Sequence, residues 1–140
     1  LGLTADGFAP AEPGAHHIYG RDVLSPCEGE VLVAEGGHRD MPVGETDHDS
    51  LAGNHAILRC GAVEVVLAHF AAGSLAVKAG EPVRGGTPIA KVGNSGASDA
   101  PHLHVHAQRA GSALSAMSGE PVPIRFGGRY LVRNDRFTPG

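Results

Sequence analysis

The stretch AILRC-GA-VEVVLAHF, residues 56–70, decides the fold expected of this chain. It contains two apolar runs, the second rich in valine, and a Gly-Ala pair separates them. Runs of this kind favour extended strands, and a tight turn that contains glycine joins two such strands as an antiparallel hairpin. The stretch therefore predicts a β-hairpin in the middle of the chain, with His69 near the end of its second strand.

Short apolar runs flank the hairpin on both sides. They predict strands at 31–34, 75–78, 87–92 and 102–108, and edge strands at 122–126 and 130–132. The 21 glycines and 10 prolines of the chain punctuate these runs, which is typical of tight turns between short strands. No longer stretch shows the 3.6-residue period of a helix. We therefore expect an all-β chain with little helix.

Composition and charge exclude two functional classes. The formal net charge is −4 and no basic stripe is present, which argues against nucleic-acid binding. No apolar run approaches the roughly 20 residues that span a bilayer, so we expect no transmembrane segment.

Length and chain ends indicate how the sequence is organised. The 140 residues, 41% of them hydrophobic, predict one domain, which we expect to be a monomer. Residues 1–15 are interpreted as an entry loop, 16–108 as the core that contains the motifs, and 109–140 as a C-terminal extension. Because the chain begins at Leu1 and not at Met, we expect a fragment or a mature form.

The chain has two cysteines, Cys27 and Cys60, each in or beside a predicted strand. A single disulfide and two buried free thiols are both compatible with this placement. The two residues lack CxxC spacing, so neither is assigned to a metal site.

Six of the nine histidines fall in three short segments, at 16–17, 69 and 102–106. Because side chains alternate along a strand, His102, His104 and His106 would point the same way, roughly 6.5–7 Å apart. This spacing suits one histidine on a metal and its neighbour over a metal-bound water. Three exposed histidines on a half-solvated strand would give the same pattern.

The segment HHIYGRD, residues 16–22, supplies further metal-ligand types. Neutral imidazole and carboxylate are ordinary zinc ligands, and catalytic zinc sites have three protein ligands with one position open. His16 or His17, together with Asp22 and one strand histidine, would make such a set.

The polar residues 36–54 predict a long surface loop. His38, His48 and His55, in this loop or at its exit, are interpreted as solvated. Asp40 and two neighbouring aspartates lack the spacing and the glycine of a calcium-binding loop.

The motifs, taken in order, resemble the lysostaphin-type zinc metallopeptidases, enzymes that cut peptide cross-links in bacterial cell walls. The matching segments are YGRD (19–22), SPCEGEV (25–31), GNHA (53–56), LAHF (67–70), VKAGEPV (77–83) and IAKVGNSG (89–96), which runs on to PHLH (101–104). The resemblance implies an antiparallel barrel-like sandwich, the duplicated hybrid motif, in agreement with the strand pattern.

The resemblance also implies roles for individual residues. Asp22 and His104 would bind Zn²⁺, His102 would orient or deprotonate the water, and His69 would stabilise the oxyanion. In the family the first ligand is a histidine four residues before the aspartate. That position is Ile18 here, and either His16 or His17 could replace it. His106 stands where the family often has an acidic residue.

The expected function is therefore zinc-dependent hydrolysis of peptide bonds in peptidoglycan cross-bridges or stems, by a secreted, periplasmic or cell-envelope protein. A non-catalytic regulatory or binding domain on the same scaffold is an alternative. The presence of Asp22 and the later histidines favours the enzyme over this alternative. A sugar-transport phosphocarrier, with two active-site histidines on a related β fold, leaves Asp22 and the third strand histidine unexplained.

Overall fold

Short antiparallel strands make up the regular structure of the computed structural model, which describes residues 5–7, 10–112, 115–132, 135–136 and 138. The eight strands are β1 (Asp22–Leu24), β2 (Gly29–Glu35), β3 (Asn54–Cys60), β4 (Val63–Phe70), β5 (Pro82–Val83), β6 (Pro88–Lys91), β7 (His104–Arg109) and β8 (Pro121–Val122). Within those described ranges, the one helical element is a 3-10 turn at Pro13–Ala15. The expectation of an all-β fold with little helix is confirmed.

All strand pairs are antiparallel and form two sheets. The larger sheet has the order β5-β2-β3-β4-β7-β8, and the smaller sheet pairs β1 with β6. The predicted hairpin lies at the centre of the larger sheet as β3 and β4. Gly61 in its turn has a φ of 63°, a conformation that glycine adopts without steric cost.

One apolar core lies between the two sheets. The smaller sheet contributes Val23, Ile89 and Ala90, and the larger sheet contributes Val31, Ala56, Leu58, Val65, Leu67 and Ala107. Because side chains alternate along β4 and β7, the opposite face of the larger sheet receives the intervening residues. This face, here called the outer face, pairs Ala68 with His104, Val66 with His106 and Glu64 with Gln108.

Several predicted strands are shorter than expected or absent. The strand predicted at 102–108 begins only at His104, because residues 99–101 form bends and residues 102–103 are irregular. Residues 75–78 are not a strand: the Ala76 amide bonds to the Ile89 carbonyl, but the Lys78 amide is bonded by the Glu81 side chain. The edge strand expected at 122–126 is reduced to β8.

The tail after β8 folds back on itself. Phe126 and Arg129 form an isolated bridge, and the guanidinium of Arg125 stacks over the Tyr130 ring at 4.6 Å. These contacts replace the strand predicted at 130–132. Parts of the predicted entry loop (1–4 and 8–9) and of the C-terminal extension (113–114, 133–134, 137 and 139–140) lie outside the described residues.

The long loop between β2 and β3 is anchored at Asp40. Its Oδ1 accepts a hydrogen bond from the Asn94 amide (2.7 Å), and its Oδ2 accepts from the Tyr19 hydroxyl (2.9 Å) and the Ala72 amide (3.0 Å). The Asn94 side chain in turn donates to the Met41 carbonyl at 2.7 Å. The loop is fixed against the segment that precedes His102.

Cys27 and Cys60 form a disulfide, which settles the two alternatives left open by the sequence. The bond joins the turn before β2 to the end of β3. In the part of the chain that the structure describes, no helix is both long and apolar enough to cross a bilayer.

Candidate metal and catalytic site

His69 is placed by a β-bulge at the end of β4. Between the pairs Asn54–Phe70 and Ala56–Leu67, β4 has two residues where β3 has one. A bulge of this kind redirects a side chain. His69 has a φ of 63°, the single positive value for a non-glycine residue in the described ranges, and is 3% exposed. Its Nδ1–H donates to the Ser95 carbonyl at 2.8 Å, which fixes the ring.

His102 and His104 approach His69 from the β7 side. His102 is exposed, and its Nδ1 donates to the Ala100 carbonyl at 2.9 Å. His104 is half-buried at the start of β7, opposite Ala68. The ring centroid of His69 lies 4.8 Å from that of His102 and 5.8 Å from that of His104.

The three imidazoles His69, His102 and His104 form a group, here called the imidazole group, that suits a metal ion. One ring nitrogen from each lies within 4.8 Å of the other two. Two nitrogens bound to one tetrahedral zinc are roughly 3.4 Å apart, so small side-chain movements would bring these atoms to zinc-binding distance. Because His69 and His102 donate through Nδ1, each neutral ring keeps a lone pair on Nε2 for a metal or a proton.

Burial keeps two of these rings neutral. It lowers the pKa of His69 below its ordinary value, and the hydrogen bond to the Ser95 carbonyl opposes this shift only in part. Burial, followed by the neighbouring His106, His69 and His102, lowers the pKa of His104 to about 4. Neutral imidazole is the form that binds metal, so both rings are ready for a cation at neutral pH.

The other predicted ligands have different partners. Asp22 is exposed at the start of β1, and its Oδ1 lies 2.7 Å from the Lys91 ammonium of β6. His17 Nε2 lies 2.9 Å from the Asp6 carboxylate, and His16 Nε2 lies 3.4 Å from the Pro10 carbonyl. The structure does not bring Asp22, His16 or His17 into the imidazole group. Their assignment as metal ligands stays a prediction.

His16 and His17 nevertheless lie close to the segment that leads into His102. Together with Ile18 they line a shallow cavity whose other side is formed by Ala100 and Pro101.

An open groove of about 440 Å³ is bordered by residues of β2 and β3, and no residue of the imidazole group lines it. His55 is 6% exposed, so its interpretation as a solvated histidine is wrong. Its Nδ1 donates to the Gly53 carbonyl at 2.8 Å. The Ala52 carbonyl, on the groove wall, accepts the His69 amide at 3.0 Å and so connects the groove to the site. The groove is lined by Glu35, Ser50, Leu51, Ala52, His55, Ser115, Ala116 and Met117.

Backbone carbonyls are the part of the site that the sequence did not identify. Ser95 and Ala100 fix the rings of His69 and His102 through their main-chain oxygens. The GNSG segment at 93–96, which is part of the motifs that carry the family resemblance, is the one sequence signal near the first of these groups. His106, left without a role, has its Nδ1 2.8 Å from His104 Nε2.

Solved structures share this fold. A mutant catalytic domain of the prophage-encoded M23 protein EnpA from Enterococcus faecalis has a TM-score of 0.56 at 20% identity, over 86% of this chain and 78% of that one. The catalytic domain of the antimicrobial peptidase lysostaphin from Staphylococcus simulans has a TM-score of 0.53 at 22% identity, over 86% of both chains. At these identities the likeness concerns the fold alone.

A zinc-containing peptidase from Vibrio cholerae has a TM-score of 0.54 at 25% identity, over 77% of this chain and 26% of that one. No curated protein matches the chain significantly. The model of peptidase family M23 matches residues 15–116, a range that includes the whole imidazole group. This match covers well over half of the chain and confirms the lysostaphin-type resemblance, so the chain belongs to peptidase family M23.

Proposed function

We propose that this chain is a zinc-dependent endopeptidase that hydrolyses peptide bonds in peptidoglycan cross-bridges or stems. The observation that carries the proposal is the convergence of His69, His102 and His104, two of them kept neutral by burial, in a member of a peptidase family. The likeness to a zinc-containing peptidase supports zinc as the metal. The family resemblance is what suggests the cell wall as the substrate.

In this proposal His104 is a zinc ligand, and His69 and His102 are the catalytic residues. Zinc, when bound, would supply Lewis-acid activation of water and of the scissile carbonyl. Asp22 and either His16 or His17 are proposed as the remaining ligands, which requires Asp22 to leave Lys91. The imidazole group offers a second ligand set, because each of its three rings has a nitrogen close to the same point.

His102 is suited to accept a proton from the attacking water. Its Nδ1–H is held by the Ala100 carbonyl, so Nε2 has the lone pair, and the exposed ring can pass the proton on to solvent. His69 is held in the same tautomer by Ser95, and burial keeps its Nε2 unprotonated at rest. His69 therefore becomes a donor to the oxyanion only after it gains a proton, as negative charge develops beside it.

The groove and the disulfide support the proposed substrate and location. The groove lined by Ala52 and His55 is open, as binding of an extended peptide requires. The Cys27–Cys60 disulfide supports an oxidising compartment, as expected for a secreted or cell-envelope protein.

Metal analysis and cell-wall hydrolysis test the proposal. We expect about one zinc per chain, removed by a chelator, and release of new amino groups from purified peptidoglycan. His104→Ala should lose zinc and activity. His102→Ala should keep zinc and lose about 100-fold or more in rate. His48→Ala, at an exposed histidine, is the matched control and should change neither. Wild-type protein that stays metal-free in excess zinc would contradict the proposal.

The ligand set is tested by the same zinc measurement on Asp22→Asn, His16→Ala, His17→Ala and His69→Ala. Zinc loss in Asp22→Asn and in one of the His16 and His17 variants supports the set implied by the family. Zinc retained in those variants but lost in His69→Ala identifies the imidazole group itself as the ligand set.

A second candidate function is a non-catalytic regulatory domain, favoured by the ion pair that holds Asp22 away from the imidazole group. This candidate predicts that the zinc-loaded wild-type protein releases no amino groups from peptidoglycan at any chain concentration.

A further inference from the structure

A line of polar side chains crosses the outer face from a buried carboxylate to the imidazole group. Glu64 Oε2 lies 2.9 Å from Gln108 Nε2, Gln108 Oε1 lies 3.4 Å from His106 Nε2, and His106 Nδ1 lies 2.8 Å from His104 Nε2. The hydrolytic roles proposed above use none of Glu64, Gln108 and His106. This line, here called the Glu64 chain, therefore needs its own explanation.

The register of β4 and β7 places the side chains of the Glu64 chain next to one another. Residues 104, 106 and 108 alternate with core residues along β7, so all three side chains lie on the outer face. Glu64 pairs with Gln108 across the sheet, at the end farthest from His104. Glu64 and Gln108 are 1% and 0% exposed. Gly119 packs so closely on Gln108 that a Cβ at this position would overlap its side-chain amide, which helps to keep water away.

Glu64 fixes the direction of the first hydrogen bond. Its Oε1 accepts from the Gly111 amide at 2.7 Å, and its Oε2 faces Gln108. A carboxylate accepts hydrogen bonds and does not donate them, so the Gln108 amide must turn its NH₂ toward Glu64. The Gln108 carbonyl oxygen is then directed at His106, as observed.

The direction of this hydrogen bond also determines which nitrogens of His106 and His104 have a proton. Since Gln108 Oε1 only accepts, His106 must have its proton on Nε2, and its neutral ring then has a lone pair on Nδ1. His104 must therefore donate from Nε2 to His106 Nδ1. The remaining nitrogen of His104, Nδ1, is left with its lone pair free. A hydrogen bond to one imidazole nitrogen decides which nitrogen is available to a metal.

We propose that Glu64 is a positioning residue which, through Gln108 and His106, holds His104 as the Nε2–H tautomer that presents Nδ1 to the metal. The inference rests on the proposed zinc site and adds the nitrogen through which His104 binds. It also gives His106 a role, as the group that transmits the orientation.

The metal-free protein provides the first test. Long-range proton–nitrogen correlation NMR distinguishes the two neutral tautomers of each histidine, and near neutral pH both His104 and His106 should be Nε2–H. His104 found as Nδ1–H in the metal-free wild-type protein would overturn the inference. This measurement needs neither zinc nor activity.

Glu64→Gln provides the second test, because it keeps the shape and reverses the polarity. The introduced amide must keep its oxygen toward the Gly111 N–H, so its NH₂ would face Gln108. The Gln108 amide would then turn, and both histidines would become Nδ1–H. We expect this change in the NMR spectrum, together with zinc affinity about 10–100-fold weaker in a chelator competition.

Glu120→Gln is the matched control. It makes the same chemical change at an exposed carboxylate outside the Glu64 chain. Glu120 pairs with Arg109, which lies on β7 like Gln108 and His106. It should leave both tautomers and the zinc affinity unchanged. Circular dichroism of each variant confirms folding. If Glu64→Gln does not fold, Gln108→Leu, which cuts the same chain, should give mixed tautomers at His106 and weaker zinc binding.

The outcomes separate this inference from the proposed function. A folded Glu64→Gln protein with wild-type tautomers and zinc affinity within about twofold of wild type would overturn the inference and leave the zinc peptidase intact. A wild-type protein that shows the expected tautomers but binds no zinc would contradict the proposed function and still support the orientation of His104 by Glu64.

Discussion

Single residues set the charge state of the site, and His104 shows this most directly. Burial lowers its pKa to about 4 in the folded protein, from an ordinary value of 6.5. The unfolded chain therefore binds the proton more tightly than the folded chain does. The contribution of His104 to stability is complete above its ordinary pKa, and it is lost as the pH falls from there toward the folded value. His69 shifts in the same direction.

This linkage predicts acid sensitivity in the metal-free protein. The denaturant midpoint should fall as the pH is lowered from about 7 to about 5. His104→Gln, which cannot gain the proton, should show a smaller fall, whereas His48→Gln at an exposed position should behave as wild type. An NMR titration should show no protonation of His104 above about pH 5. Equal acid sensitivity in wild type and His104→Gln would contradict the pKa assignment.

The sequence singled out the three histidines of the imidazole group as candidates, but the geometry that brings their rings together could not be predicted. The chemistry of imidazole and the order of the motifs were enough to select His69, His102 and His104. The direction of the His69 side chain depends on a bulge, which no side-chain period reveals. The orientation of its ring depends on the main-chain carbonyl of Ser95. Asp22 was selected by spacing along the chain, and spacing does not show that Lys91 lies opposite it across β1 and β6.

At the scale of elements, the loop between β2 and β3 is organised by Asp40. The sequence indicated only a polar loop, because the groups that Asp40 binds belong to residues 19, 72 and 94. Two of these partners are backbone amides, which have no sequence signal. Burial, followed by the hydrogen bond to Asp40, raises the pKa of Tyr19 to about 12.

Asp40→Ala should therefore destabilise the protein well beyond an ordinary loop substitution. It removes the acceptor of three hydrogen bonds, and we expect a loss of about 3 kcal/mol in the free energy of unfolding, measured with urea. Tyr19→Phe removes one of the three and should cost about 1 kcal/mol. Asp49→Ala, in the same loop but exposed, is the control. A loss for Asp40→Ala no larger than that of the control would show that the loop is not anchored by this side chain.

At the scale of the whole molecule, local pattern predicted the strands better than it predicted the sheets. The hairpin β3–β4 followed from a glycine turn between apolar runs, and both are properties of neighbouring residues. The pairing of β1 with β6 joins residues 22–24 to residues 88–91, and only tertiary packing determines it. Residues 75–78 have a strand-like composition, but the Glu81 side chain takes the Lys78 amide that a neighbouring strand would need.

The Cys27–Cys60 disulfide affects the stability of the whole molecule, because it joins segments 33 residues apart. Closing a loop of that length in the unfolded chain stabilises the folded state by about 3–4 kcal/mol in the chain-entropy model. Because a small domain has only about 5–15 kcal/mol of net stability, the bond should supply a substantial part of the stability of the folded chain.

Cys27→Ala/Cys60→Ala should therefore unfold at a much lower denaturant concentration than the oxidised wild type, with a loss of about 3–4 kcal/mol. Reduced wild-type protein should show a similar loss, since it too lacks the cross-link. The double variant should not respond to reductant, and this is the control for non-specific effects of the reagent. Oxidised wild type and double variant with the same midpoint would contradict a stabilising role. A large difference would instead mean that a reducing compartment removes a substantial part of the stability, which would support the proposed location in an oxidising compartment.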